Sequence, residues 1–264
     1  MTETGTPFKH STPELYDRYM GPLLFEPFAK LVGQRAALLQ PDRILETAAG
    51  TGIVTRALHL AVPRAQIVAT DVNPVMLDVA ARRLGSDRVS FQPADAQDLP
   101  FDDESFDLVV CQFGVMFFPD KVRANEEARR VLRAGGHYLL VSFDRLEFNP
   151  VPKAAGNAVD ELFPEDPPSY MERGPFSYVD PALIEHDLHA AGFTKIKLET
   201  VALTSCGSAR DAAQGLVLGS PFRAEIERRD PSALGRALDA VTAALAPWDQ
   251  TDAPISAHVV TGAK

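Results

Sequence analysis

The chain has 264 residues, 45% of them hydrophobic, which is enough to bury the core of one α/β domain with an insertion or a small cap. Its formal net charge of −10 argues against a nucleic-acid or anionic-membrane surface, because phosphate binding requires clustered Lys and Arg. A small neutral or cationic substrate is easier to accommodate.

Cysteine and histidine placement argues against a disulfide scaffold and against a metal site. Cys111 and Cys206 belong to no pair with metal-ligand spacing. His186 and His189 are three residues apart in a predicted helix, but no third ligand accompanies them. The N-terminus is polar and no apolar run reaches the length of a membrane span. We expect a cytoplasmic monomer or homodimer with no metal, membrane or nucleic-acid partner.

Residues 1–41 predict a helical cap. Residues 1 to about 10 are polar and expected to be loose, and from Pro13 apolar residues recur at helical spacing, interrupted by prolines. Two or three short helices are therefore expected before the first strand. Tyr16 and Tyr19 belong either to a cap that covers the sheet edge or to a lid that faces a ligand.

The stretch from Arg43 to Thr55 organises the rest of the chain. It indicates a short buried strand, a turn of small residues and a helix that begins near Gly52. Gly50 and Gly52 lack a Cβ, so the turn allows unusual backbone angles and a close ligand approach. The helix end favours an anionic group. Small-residue turns also join strands to helices in proteins that bind no ligand there. The remaining sequence therefore has to distinguish a ligand-binding turn from a purely structural one.

Two acidic residues follow the next two predicted strands. Asp71 ends the strand that begins at Gln66, roughly 20 residues beyond the turn, where a carboxylate can accept hydrogen bonds from ribose hydroxyls. A helix cap is the alternative, but Asn73 is the better cap because Pro74 follows it. Asp95 follows the third strand. Two acids at one sheet edge suit the ribose and adenine of a nucleoside.

The fourth predicted strand, Phe106 to Cys111, is expected beside the first strand of a doubly wound sheet. Its exit loop then forms one wall of the ligand crevice. Gln112 is the polar group of that loop, and its apolar residues either line the substrate site or pack beneath the next helix: Phe113, Met116 and Phe117.

The second half of the chain predicts two insertions. A fifth strand from Tyr138 to Phe143 completes the parallel part of the sheet. Residues 144–180 are rich in proline and aromatic residues, which favours a binding lid. Residues 208–247 form a helical insertion. Two late strands, Phe193 to Ala202 and Ile255 to Thr261, are also predicted.

With these motifs in order, residues 42 to about 202 resemble the class I S-adenosylmethionine-dependent methyltransferases, in particular the small-molecule enzymes that include quinone-biosynthesis methyltransferases. The resemblance rests on Ile44 to Gly52, Asp71, Ala94 to Ala96, Phe106 to Gln112 and Arg130 to Gly136. It implies a Rossmann-like, doubly wound sheet of seven strands with an antiparallel last strand. Residues 42–264 would form the methyltransferase domain.

The resemblance also implies a role for each matching residue. Gly50, Gly52 and the backbone near Ala48 would cradle the methionine part of S-adenosylmethionine, and Glu46 would hold the turn. Asp71 would bind the ribose hydroxyls. Val72 and Met76 would pack against the adenine. Asp95 would accept from the adenine amino group, the Ala96 N–H would donate to a ring nitrogen, and Gln112 would close the site. Tyr16, Tyr19 and Phe113 are candidates for aromatic contacts with the sulfonium, and Met116 and Phe117 for lining the substrate.

Two features depart from the family pattern. Ala48 replaces the usual first glycine of the motif, and a histidine often found after the fourth strand is missing. No residue identifies itself as a catalytic base. Two alternative functions are an NAD(P)-dependent oxidoreductase and a cofactor-binding module without catalysis. The dinucleotide-binding motif of such an oxidoreductase has a third glycine at the position where this chain has Thr55.

Overall fold

A seven-stranded sheet dominates the computed structural model, which describes residues 13–264. The prediction for residues 1 to about 10 lies outside this range. The strands in chain order are β1 (Arg43–Glu46), β2 (Gln66–Asp71), β3 (Val89–Pro93), β4 (Phe106–Gln112), β5 (Leu132–Phe143), β6 (Thr194–Cys206) and β7 (Asp252–Ala263).

The strand order across the sheet is β3-β2-β1-β4-β5-β7-β6. Strands β1 to β5 pair in parallel, and β7 runs antiparallel to β5, with Ser142 opposite His258. Because β2 and β4 flank β1 on opposite sides, right-handed crossovers place their helices on opposite faces and open a crevice at the carboxyl ends of β1 and β4. The predicted doubly wound sheet with an antiparallel last strand is confirmed.

The described helices include a π-helical segment (Tyr16–Phe25). The α-helices of the described residues are α1 (Pro13–Leu15), α2 (Glu26–Leu39), α3 (Ile53–Ala61), α4 (Pro74–Arg83), α5 (Lys121–Val131), α6 (Pro150–Asp160), α7 (Tyr170–Arg173), α8 (Pro181–Ala190), α9 (Ala209–Leu218), α10 (Phe222–Arg229) and α11 (Leu234–Ala244). Across residues 13–264, no helix combines the length and hydropathy needed to cross a membrane.

The described residues fall into two compact units. In one unit the π-helical segment, α6, α9 and α11 pack against one another. The other unit contains β1 to β5 and most of the helices around them. The first consists of the described residues up to Pro27, Arg145–Ser177 and Ala202–Ser256, and the second of Phe28–Asp144, Tyr178–Val201 and Ala257–Lys264.

Three helical segments precede β1, in agreement with the two or three helices expected there, and they follow one another directly from Pro13 to Leu39. Pro22 has no N–H to donate, and wide turns such as the bond from the Glu26 N–H to the Gly21 carbonyl accommodate it. Residues 144–180 contain α6 and α7, and Pro150 starts α6, where its missing N–H costs nothing. Their role as a binding lid stays a prediction.

A buried carboxylate on α5 fixes the loop that follows β3. Glu127 is 2% exposed, and its Oε2 accepts from the Leu99 N–H at 2.9 Å and from Arg130 Nη2 at 2.7 Å. Arg130 also donates to the carbonyls of Leu99 and Phe101. The Arg130 hydrogen bond holds the pKa of Glu127 below its ordinary value. The network therefore ties α5 to the loop that carries Asp95.

We expect Glu127→Ala to lower the free energy of unfolding by about 2 kcal/mol, because the Leu99 N–H and the Arg130 guanidinium lose a charged acceptor. Urea denaturation measures the change. Glu126→Ala is the matched control, since the half-exposed Glu126 makes only an ion pair with Arg123 at 3.5 Å. That control should change stability by less than about 0.5 kcal/mol. Equal effects of the two substitutions would contradict the assignment.

Candidate functional site

The turn after β1 adopts left-handed backbone angles at three positions. The φ values are +54° at Ala48, +55° at Gly50 and +77° at Gly52. A Cβ on Gly52 would lie 2.9 Å from the Cβ of Ala80, so α3 can begin this close to α4 only with glycine there. A Cβ on Gly50 would meet no heavy atom within 4 Å. The Gly50 side of the turn is therefore open to a ligand.

The neighbouring strands hold this turn in place. The Thr47 N–H donates to the Val110 carbonyl on β4 at 2.9 Å, and the Ala49 N–H donates to the Thr70 carbonyl on β2 at 2.9 Å. The turn thus lies at the carboxyl end of the sheet, where the topology opens the crevice. This is the place that the sequence predicted for it.

Glu46 is a buried acid beneath the turn. It is 2% exposed, its Oε2 accepts from Thr55 Oγ1 at 2.6 Å, and its carbonyl accepts from Thr70 Oγ1 at 3.0 Å. Burial raises the pKa of Glu46 to about 8, against the opposing effect of the Thr55 hydrogen bond. Burial therefore favours the protonated form of this carboxyl group. It joins the end of β1 to the first turn of α3.

Asp71 connects the glycine turn to the end of β2. Its Oδ2 accepts from the Gly50 N–H at 2.9 Å, and its Oδ1 accepts from the Asn73 N–H at 2.8 Å. Burial raises the pKa of Asp71, and these two hydrogen bonds oppose the rise. A carboxylate oxygen has two lone pairs, so each one can accept a further hydrogen bond from a ligand. Asn73 caps α4 by accepting from the Val75 N–H, as predicted.

Apolar side chains beside Asp71 are exposed. Val72 is 50% exposed and Val75 is 56% exposed, whereas Met76 is 4% exposed and packs in the core. Val75 lies in the first turn of α4 and faces solvent, although the sequence groups it at helical spacing with Met76 and Val79, which are buried. Val72 and Val75 together form an exposed apolar surface on which a flat apolar group can lie.

Asp95 lies in the loop after β3. It is exposed, and its Oδ1 accepts from the Gln97 N–H at 2.9 Å and from Gln97 Nε2 at 3.2 Å. Gln97 Oε1 in turn accepts from the Asp120 N–H at 2.8 Å, at the start of α5. Ala96 is buried. The loop is therefore held from both sides while the Asp95 carboxylate stays accessible.

The exit loop of β4 is tightly packed. Gln112 is 9% exposed, and Phe113 adopts a φ of +55°. The Phe113 ring stacks on Phe143 at 3.9 Å between centroids and meets Phe28 edge-on at 5.5 Å. Met116 is buried as well. The lining roles of Phe113, Met116 and Phe117 stay predictions.

Tyr16 and Tyr19 lie in the other compact unit. Tyr16 stacks on Phe25 at 5.1 Å, and the Arg18 guanidinium lies 5.2 Å from the centre of the Tyr19 ring. A Cβ on Gly215 would lie 3.0 Å from the Tyr19 Cβ. Their predicted contacts with a ligand stay predictions.

A polar cluster at the end of β5 was not singled out from the sequence. His258 is 2% exposed, and its Nε2 lies 3.0 Å from the Val179 carbonyl and 3.4 Å from Asp144 Oδ1. Its Nδ1 lies 3.0 Å from Thr200 Oγ1. Since both groups near Nε2 are acceptors, Nε2 carries a proton and donates. The sequence signal was weak, because His258 stands in an ordinary alternating strand.

No metal site accompanies this arrangement in the described part of the chain. Within residues 13–264, no three His, Cys, Asp or Glu side chains are grouped so that they could hold a metal ion. His186 and His189 are both exposed on α8.

Comparisons with known proteins agree with this geometry. A family model described as a methyltransferase domain matches residues 45–140. The chain is 36% identical over 166 residues to a demethylmenaquinone methyltransferase of Clavibacter sepedonicus, an alignment that covers 59% of this chain and 67% of the relative. It is 37% identical to the ubiquinone/menaquinone biosynthesis C-methyltransferase UbiE of Methylobacterium nodulans over 43% of this chain and 46% of the relative.

Solved structures share the fold. The YcgJ protein of Bacillus subtilis superposes with a TM-score of 0.56 at 18% identity and covers 90% of this chain and 98% of its own. A phosphoethanolamine N-methyltransferase of Haemonchus contortus with S-adenosylhomocysteine bound superposes with a TM-score of 0.61 at 19% identity, covering 98% of this chain and 59% of its own. These identities support the fold alone.

Sheet topology, glycine turn and strand-end acids define a Rossmann-like methyltransferase architecture. The chain belongs to the class I S-adenosylmethionine-dependent methyltransferases. Its cofactor is accordingly S-adenosylmethionine. The chain spans between about half and two thirds of the length of the curated relatives described above.

The residues present fit this cofactor. The open side of Gly50 leaves room for a ligand against the backbone. Asp71 retains acceptor capacity on both oxygens, which suits two neighbouring ribose hydroxyls. The exposed Val72 and Val75 offer an apolar surface to a purine ring.

The raised pKa of Glu46 makes stability depend on pH. An acid whose pKa is raised by folding contributes stability that is present below its ordinary pKa of 4.5 and is lost as the pH rises toward about 8. We expect wild type to lose stability relative to Glu46→Gln across this window, by at most about 1.4 kcal/mol per pH unit.

Urea denaturation of both proteins from pH 5 to pH 8.5 measures this difference. Glu126→Gln, which removes a half-exposed carboxylate from α5, controls for the loss of one acidic side chain. If the stability curves of wild type and Glu46→Gln run parallel, the buried carboxyl group does not titrate as described.

Proposed function

We propose that this protein transfers a methyl group from S-adenosylmethionine to a small-molecule acceptor, and that a hydroquinone of the quinone-biosynthesis type is the acceptor class. The observation that carries the cofactor part is the hydrogen bond from the Gly50 N–H to Asp71 Oδ2 at 2.9 Å. It brings the glycine turn and the acid of the second strand into a single site, as binding of one nucleoside requires.

Each part of the site takes one part of the cofactor. The backbone at Ala48, Gly50 and Gly52 surrounds the methionine portion, and Asp71 accepts from the ribose hydroxyls. Asp95 accepts from the adenine amino group, while the Ala96 N–H donates to a ring nitrogen. The faces of the adenine lie against the exposed Val72 and Val75, and Gln112 closes the site. Met76, the other apolar residue predicted at the adenine, is 4% exposed and packs in the core.

The Glu46–Thr55 hydrogen bond favours this function over dinucleotide oxidoreduction. Thr55 occupies the position where the dinucleotide fingerprint places its third glycine, and that glycine allows close packing of helix on strand. Here Thr55 is buried and its hydroxyl donates to Glu46 at 2.6 Å. The position is thus used to hold an acid rather than to bring the helix closer.

When bound, S-adenosylmethionine would supply a sulfonium methyl group, whose carbon the acceptor attacks in line while the C–S bond breaks and the neutral thioether S-adenosylhomocysteine leaves. The task of the protein is to hold donor and acceptor on one axis and to exclude water. The turn after β1 and the ends of β2 and β3 are assigned to the cofactor, so the acceptor binds at the ends of β4 and β5. The stacked rings of Phe113 and Phe143 lie there and suit a flat aromatic acceptor.

The acceptor class rests on two further observations. The relatives at 36% and 37% identity bear the names of menaquinone and ubiquinone methyltransferases. The net charge of −10 disfavours a nucleic acid or another polyanion as acceptor. A hydroquinone ring is neutral, flat and electron-rich at carbon, so its carbon can attack the methyl group and then release the ring proton to water.

The deciding experiment incubates the purified protein with S-adenosylmethionine and a chemically reduced, short-chain demethylmenaquinone. Mass spectrometry detects S-adenosylhomocysteine and the methylated product. Phosphoethanolamine and histamine serve as alternative acceptors. Methylation of the quinol supports the full proposal, and methylation of an amine alone overturns the acceptor class. Tight binding of S-adenosylmethionine without turnover of any acceptor would indicate a non-catalytic module.

Asp71→Ala should weaken the binding of S-adenosylmethionine by about tenfold to a hundredfold, because two hydroxyl hydrogen bonds to a charged group are lost. Isothermal titration calorimetry measures the affinity. Asp87→Ala is the matched control, since Asp87 is exposed and precedes β3 at the opposite edge of the sheet. An unchanged affinity in Asp71→Ala, with the fold intact by circular dichroism, contradicts the ribose assignment.

A further inference from the structure

The turn after β1 and the exit loop of β4 meet at one pair of small residues. A Cβ placed on Gly114 would lie 2.4 Å from the Cβ of Ala48 and 3.1 Å from Cys111 Sγ. The Ala48 methyl group is attached directly to the backbone and cannot rotate away. A side chain at position 114 therefore requires the turn or the loop to move.

The backbone of Gly114 does not itself require glycine. Its φ of −105° and ψ of −39° are open to any residue. Ala48 is the opposite case, because its φ of +54° is costly for a residue with a Cβ and easy for glycine. The glycine thus stands at the unstrained position and the alanine at the strained one. The space taken by the Ala48 methyl group explains the glycine at position 114.

The two segments that meet here carry opposite walls of the site. The Ala48 turn carries Gly50 and Gly52, and the Gly114 loop carries Gln112 and Phe113. Phe113 also has a left-handed φ of +55° and stacks on Phe143. A shift of the loop by a few tenths of an ångström would therefore displace the groups that face the cofactor and the acceptor.

We propose that the Ala48 methyl group and the empty side of Gly114 form a steric lock that sets the distance between the two walls of the site. Ala48 and Gly114 are positioning residues in this role, since they act through the turn and the loop. The inference rests on the proposed function, because it assigns those two walls to S-adenosylmethionine and its acceptor.

A reciprocal exchange tests the lock. The variants are Gly114→Ala, Ala48→Gly and the double variant with both substitutions. Gly85→Ala is the matched control, because a Cβ there meets no heavy atom within 4 Å. Calorimetric titration with S-adenosylhomocysteine gives Kd, and thermal unfolding gives Tm.

We expect Gly114→Ala to raise Kd by at least about tenfold and to lower Tm. The double variant should return Kd to within about threefold of wild type and recover most of the lost Tm, because removal of the Ala48 methyl group makes room for the new one. Gly85→Ala should match wild type. If Gly114→Ala yields no folded protein, recovery of folded protein by the double variant is the supporting result.

Ala48→Gly alone separates positioning from stability. It relieves the left-handed strain, so Tm should stay level or rise, while Kd should increase because the walls lose their spacer. A wild-type Kd in this variant overturns the positioning role. A double variant as impaired as Gly114→Ala, or a Gly114→Ala that behaves as wild type, overturns the lock itself. If wild type binds no S-adenosylhomocysteine, the proposed function fails. The steric contact is then still tested by Tm, which should fall in Gly114→Ala and recover in the double variant.

Discussion

One hydrogen bond, from the Gly50 N–H to the Asp71 carboxylate, joins the two halves of the site. Asp71 lies at the end of β2 and Gly50 in the turn after β1, so the bond exists only when both strands are in register and the turn is left-handed. A carboxylate held by two backbone donors has a fixed orientation and still offers lone pairs outward. The protein's own backbone thus orients this carboxylate, and a group that is already oriented lowers the ordering cost of binding.

Burial distributes charge unevenly around this bond. Burial favours the neutral form of Glu46 beneath the turn, and Asp71 is the acid at the rim of the turn. Two ionised carboxylates in so dry a place would repel each other, and part of the raised pKa of Glu46 comes from Asp71. The Thr55 hydroxyl gives the buried acid a partner, so the site avoids an unsatisfied polar group.

Features that depend on local pattern could be predicted from the sequence. The turn, the acids at the ends of β2 and β3, and the Asn73 cap follow from strand length, glycine spacing and capping chemistry. Features that depend on contacts distant in sequence could not. The clash between Ala48 and a Cβ at position 114 requires knowing that β4 lies beside β1 at that register.

The solvent exposure of individual side chains and their hydrogen-bond partners could not be predicted from the sequence either. The apolar residues of α4 recur at helical spacing, yet Val75 is 56% exposed while Met76, in the same first turn, is 4% exposed. The bonds of His258 depend on which neighbours β7 receives from the antiparallel pairing. Wide turns accommodate Pro22 within a helix, which no count of helix breakers anticipates.

The left-handed residues other than glycine fall into two groups with different evolutionary freedom. Four are exposed at the surface: Gln40, Glu104, Lys195 and Gln250. Ala48 and Phe113 are instead buried or half-buried, Ala48 in the turn after β1 and Phe113 in the exit loop of β4. Selection for heat resistance can relax the first group by glycine or asparagine at little cost. Replacing Ala48 or Phe113 by glycine would raise thermal stability but lower activity. Adaptation to higher temperature is therefore expected to leave those two positions unchanged.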